Sequence, residues 1–154
     1  MPLFSMDKDT IQIEKDTLTD FYNHNVSVEL HTYILIGLSI QYEYLLNNKI
    51  KNNRIKDRDG LVFGTTLNPS LYGGYFQYTI YEGKFPDIEQ EGFGILIGHL
   101  GPFIQTGPVS KNFIIPYYSY MWRDEDEYKG TWTQYGLKVF FIAPGFGISY
   151  GYHF

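Results

Sequence analysis

The stretch "GFGISYGYHF", Gly145–Phe154, alternates without a break. Phe146, Ile148, Tyr150, Tyr152 and Phe154 are large and apolar or aromatic, whereas Gly147, Ser149, Gly151 and His153 are small or polar. Successive side chains of a β-strand point to opposite faces, so this stretch spells a strand with one bulky face and one small, polar face.

The same period runs through most of the chain. "VSVELHTYILIGLSIQYEYL" (Val26–Leu45) keeps Val26, Val28, Leu30, Ile34, Ile36, Leu38, Ile40, Tyr42 and Tyr44 on one side. Ser27, Glu29, His31, Gly37, Ser39, Gln41 and Glu43 take the other, and Thr32 interrupts the apolar set, which puts a tight turn near His31–Tyr33. "LVFGTTL" and "LYGGYFQYTIY" flank the turn signal Asn68-Pro69-Ser70. "GFGILIGHL", "NFIIPYYSYMW" and "TWTQYGLKVFFI" follow, and Ala143-Pro144-Gly145 leads into the closing strand. The pattern predicts eight strands and no helix. Pro116, inside the sixth, demands a bulge or an unpaired position.

A length of 154 residues suits one domain. Aromatic residues make up 19% of the chain, with 15 tyrosines, which is high where Leu, Val and Ile usually fill a core. The net charge of −5 argues against nucleic acid as a partner. With no cysteine, disulfides and thiolate metal sites are excluded. No apolar run approaches the ~20 residues of a membrane-spanning helix, and Met1–Asn23 carries no signal-peptide pattern. Residues 1–23 read as a flexible polar leader.

The charges are swept together. Residues 1–23, 47–60, 83–91 and 123–130 hold seven, seven, four and six of them, 24 of the 29 in the chain. The exceptions are Glu29, Glu43, Glu82, Lys111 and Lys138. A sheet with one face in water normally scatters Lys and Glu along that face. Here the links between strands two and three, four and five, and six and seven take the charge, while the first, third and seventh links are short. This alternation is read as an up-and-down meander with tight turns and both termini at one end and the long polar loops at the other.

That layout resembles the small eight-stranded β-barrels of bacterial outer membranes, which pair short periplasmic turns with longer extracellular loops, an apolar outer band, aromatic girdles and a polar interior. The resemblance spans about Asn25 to Phe154 and includes Tyr150, Tyr152 and Phe154, which look like the C-terminal signal read by barrel-assembly machinery. It implies a closed transmembrane barrel over residues 24–154 and a periplasmic leader at 1–23. It also implies contact with lipid bilayer and lipopolysaccharide, and envelope-protein partners met by loops 47–60, 83–91 and 123–130, with an accessory place in a larger envelope complex as one form of that role. The expected role is non-enzymatic, structural or interactive, with no cofactor.

On this register Glu29, Gln41, Glu43, Gln77, Thr79, Gln134, Lys138 and His153 line the interior as a polar network, with Lys138 the one cation for Glu29 and Glu43. Eight strands leave a lumen that side chains fill. Inward glycines, among them Gly37, Gly64, Gly92, Gly94, Gly136, Gly147 and Gly151, allow tight curvature. Tyr42, Tyr44, Tyr117, Tyr118, Tyr120, Trp122, Trp132, Tyr150 and Tyr152 read as interfacial girdles. His24, His31, His99 and His153 lack metal-ligand spacing, and the acidic run Arg123–Glu127 lacks the glycine of a calcium loop. Two other functions compete: a membrane-embedded lipid-modifying enzyme, for which Ser119 and His99 are the nearest candidates without forming a catalytic set, and a soluble lipocalin-like ligand-binding barrel, whose outer face would need far more charge.

Overall fold

A computed structural model describes residues 23–32, 36–69, 71–100, 112–125, 130–140 and 143–154. They form eight strands: β1 (His24–Thr32), β2 (Ile36–Lys51), β3 (Arg54–Asn68), β4 (Leu71–Lys84), β5 (Asp87–Leu100), β6 (Asn112–Glu125), β7 (Thr131–Phe140) and β8 (Pro144–His153). Each pairs antiparallel with its neighbours in chain order, and β8 returns to β1 through Val28↔Tyr150 and Val26↔Tyr152, so the sheet closes. The closing strand is therefore a seam, as its pattern predicts. A closed sheet leaves no row of unpaired backbone groups at an edge.

The bulky face points out. Ile40, Leu67, Phe93, Ile97, Ile114, Tyr150 and Phe154 are among the exposed hydrophobics, while Glu29, Glu43, Arg58, Arg123, Glu125 and Lys138 are all 5% exposed or less. This inverts the ordinary soluble arrangement. Inward glycines make room for inward rings. A Cβ built on Gly151 would lie 2.2 Å from the Trp132 ring, and one on Gly64 would lie 2.3 Å from Tyr75.

The structure corrects several expectations. The charged stretches 47–60 and 83–91 are not open loops. β2 and β3 continue through the first to a two-residue turn at Asn52-Asn53, both at positive φ (54° and 60°) as a hairpin turn of this length requires. β4 and β5 continue to Phe85-Pro86. The two tips are tied together: Phe85 N donates to Asn53 O at 3.0 Å, and Asn53 Nδ2 donates to Phe85 O at 3.1 Å. Arg123–Glu125 belong to β6, and residues 126–129 lie outside the described residues, as do the leader 1–22, the turn residues 33–35 and the link 101–111. β1 runs on to Thr32, so His31 and Thr32, expected at the turn, belong to the strand.

The ends are also redistributed. β1 starts and β8 finishes at the same end as the charged hairpins: His24 pairs with Tyr44, Leu45 N bonds Asn23 O, and Phe154 N bonds His24 O. An even number of up-and-down strands requires this, because the first strand begins opposite the first link. Asn23 and Phe154 therefore lie at the end that holds the charged stretches 47–60 and 83–91, rather than across the barrel from them. Pro116 needs no bulge: it stands opposite Ile95 on β5, and the described β6–β7 ladder begins one residue later at Tyr117↔Phe140.

Candidate functional site

Alternation carries one polar side chain inward every second residue on every strand, and together they fill the lumen in tiers. The central tier is built on Glu29 of β1 and Lys138 of β7. Lys138 Nζ donates to both Glu29 oxygens at 2.9 and 2.6 Å, Gln41 Nε2 donates to the same carboxylate, and the ammonium lies 5.2 Å from the Tyr75 ring centroid. Beside it Tyr117 OH donates to Gln77 Oε1 at 2.9 Å, and Gln77 Nε2 donates to Ser119 Oγ at 2.9 Å.

Towards the hairpin end lies a second tier of four charges. Arg58 Nη1 donates to both Glu125 oxygens at 3.0 and 3.1 Å. Arg123 reaches Glu43 at 3.3 Å and Glu125 at 3.7 Å, and its Nε donates to Gln134 at 2.8 Å. Glu43 also accepts from Asn25 Nδ2 at 2.7 Å, from Thr79 Oγ1 at 3.2 Å and from the Tyr81 hydroxyl. His153 Nε2 sits 3.1 Å from Glu125. Both guanidinium groups lie over the Tyr81 ring, at 4.9 and 4.7 Å, and Arg123 also covers Trp132 at 3.9 Å. Planar guanidinium groups suit such stacking and charge sharing better than an ammonium would.

With histidine neutral, three carboxylates balance three cations in the lumen. Taking ions out of water costs several kcal/mol each unless partners and further hydrogen bonds compensate; each of these ions has an opposite charge within reach, and Glu29 and Glu43 accept further hydrogen bonds, whereas Arg58 Nε is buried without one. Between the tiers a cavity of about 10 Å3, walled by Gln41, Glu43, Gln77, Arg123 and Lys138 among others, is large enough for one water. At the opposite end the filling turns apolar: Leu71, Leu96, Tyr117 and Phe140 pack with Phe113 and Ile115.

The lumen residues expected from sequence, Glu29, Gln41, Glu43, Gln77, Gln134, Lys138 and His153, all point inward and are buried. The structure joins Glu29, Gln41 and Lys138 in one tier and Glu43, Gln134 and His153 in the other. Lys138 is not the sole cation, since Glu43 pairs with Arg123. Arg58, Arg123, Glu125 and Tyr81 were not expected here, and Tyr117 and Trp132, expected in the girdles, point inward and are buried. Tyr150, Tyr152 and Phe154 face outward. Ser119 and His99 are not brought together: Ser119 is buried in the lumen, while His99 bonds Asn112 at 2.9 Å beside Tyr72. Among the described residues no group of three or more His, Asp or Glu is placed to hold a metal ion.

Outside the lumen the charges form a rim at the hairpin end. Asp57 holds Lys49 at 3.1 Å, Asp59 accepts from Tyr78 OH at 2.8 Å, and Glu89 accepts from Tyr120 OH at 2.6 Å. Trp122 stacks on Tyr135 just below. These rings carry their hydroxyls towards the charged rim and their apolar bodies towards the belt.

No protein-family model, curated protein or solved structure matches this chain.

Proposed function

We propose that the chain is a membrane-spanning barrel of a bacterial outer membrane with a structural or interaction role, presenting its charged rim to envelope partners. The observation that carries this reading is the inverted distribution: a largely apolar and aromatic outer belt on a closed sheet whose six central charges are withdrawn into paired, buried positions. Hydrocarbon cannot satisfy backbone groups, which favours closed sheets, and a charge facing lipid near the midplane costs about 2–4 kcal/mol. A lipocalin-like barrel would need the apolar set inside, where this one holds ions.

Charge placement supports an orientation. The links at the far end (33–35, 69–70, 101–111 and 141–143) contain one charged residue between them, Lys111. These are the segments least costly to carry across hydrocarbon during insertion. The rim then stays on the insertion side, the periplasmic one, rather than outside the cell as the loop lengths alone suggest.

The reading is tested by solution behaviour. The full chain should require detergent to stay monodisperse and should migrate differently on a denaturing gel before and after boiling. A monodisperse monomer in detergent-free buffer refutes it.

A further inference from the structure

The rim is electrically two-sided. On the β2–β3 hairpin Lys49, Arg54 and Lys56 are exposed and Lys51 half-buried, against the acids Asp57 and Asp59, a net of +2. On the β4–β6 side Glu82, Asp87, Glu89, Glu91 and Asp124 are exposed with Lys84 alone beside them, a net of −4.

The acidic face is built against itself. Glu82 stands directly opposite Glu89 across the β4–β5 ladder, and Asp87 directly opposite Asp124 across β5–β6. Like charges placed directly opposite destabilise a sheet. Among the described residues Lys84, directly opposite Asp87, is the cation on this face, and Arg123 points inward to Glu43 and Glu125 and does not screen it. On the other hairpin Arg54 and Lys56 hold no ion pair among the described residues. The molecule thus displays a repelling acidic face and an unneutralised basic projection at the same end of the barrel. The basic face centres between β2 and β3 and the acidic face on β5, in a ring of eight, so they face different neighbours.

We propose that copies of this chain associate side by side, the basic β2–β3 hairpin of one seating against the acidic β4–β6 face of the next. The proposal rests on the membrane reading, because a bilayer holds both faces of neighbouring copies at one height. Such a contact is heterologous: it leaves one face free at each end and builds chains or rings rather than stopping at a dimer.

The test uses the full chain in non-ionic detergent at low ionic strength, sized by mass photometry or light scattering. The expected result is a series of species beyond the dimer that collapses to monomer at about 0.5 M NaCl, where screening is nearly complete over contact distances. R54E/K56E alone, which turns the hairpin net negative, and E82K/E89K/E91K alone, which turns the opposing face net positive, should each be monomeric, with about tenfold or greater weakening, since each places like charge on like charge. Mixed together they should reassemble. Anomalous gel migration before boiling checks that each variant keeps its barrel. Wild type that is monomeric at low salt, a species stopping at two copies, or variants that assemble as wild type each overturn the proposal. So does assembly abolished by EDTA and restored by Mg2+, which would make the acidic face a cation site instead. Failure of the membrane reading is seen separately, as a detergent-free monomer.

Discussion

Replacing Lys138 by Met keeps the length and bulk of the stem and removes the ammonium that Glu29 holds with both oxygens. At 2.6 and 2.9 Å and an effective dielectric constant near 20, the gross attraction is about 6 kcal/mol. Much of that offsets the dehydration of the two ions. Deleting one partner of a buried pair leaves the other dehydrated and uncompensated, and costs about 3–5 kcal/mol. Glu29 is fully buried, and Gln41, a neutral donor, supplies only part of what is lost. K138M should therefore destabilise the barrel by about 3–5 kcal/mol, whereas E29L/K138M, which removes both ions, should return to within about 1 kcal/mol of wild type or exceed it. Equilibrium urea unfolding in detergent micelles, followed through Trp122 and Trp132 fluorescence, measures all three variants. A loss below about 1 kcal/mol for K138M, or a double variant as unstable as the single, would refute the claim that the loss comes from leaving Glu29 buried and unpaired.

Further outcomes follow from the belt and the glycines. Ile95→Arg, on the exposed belt, should cost about 2–4 kcal/mol of stability in lipid vesicles; a cost near zero would count against lipid contact there. Gly151→Ala drives a methyl into the Trp132 ring and should cost about 1–3 kcal/mol, with part of the loss recovered in G151A/W132F by a double-mutant cycle. Gly74→Ala is the control, because a Cβ there meets nothing closer than Gly64 O at 3.6 Å; it should stay within about 0.5 kcal/mol of wild type.

The strands and the inward set from Glu29 to His153 were legible because alternation in a closed sheet has a single solution: what is bulky goes out. Trp132 was equally legible, since Gln134 and Lys138 lie two and six residues on and point inward. Residue type outweighed parity there, and the ring was placed in a girdle. Arg123 and Glu125 were hidden by density of charge. "RDEDE" looks like a solvated loop, yet its first and third residues continue the inward series of Ser119 and Met121. Arg58 was legible from period, because it continues the inward series of Thr66, Val62 and Gly60 on β3; charge density hid it as it hid Arg123. The slip on this strand comes only beyond it: the register shift between Lys49 and Ile50 makes Lys56 the extra residue, so that Ile55 turns inward.

The lumen's ions balance tier by tier. Glu29 with Lys138 sums to zero, and so does Glu43 with Glu125 against Arg58 and Arg123. A voltage applied along the barrel axis therefore does no net work on the filling, since the work scales with displaced net charge. The filling is then an inert dielectric, neither sensing such a voltage nor drawing counter-ions into the centre of the barrel, and the response to charge is left to the rim.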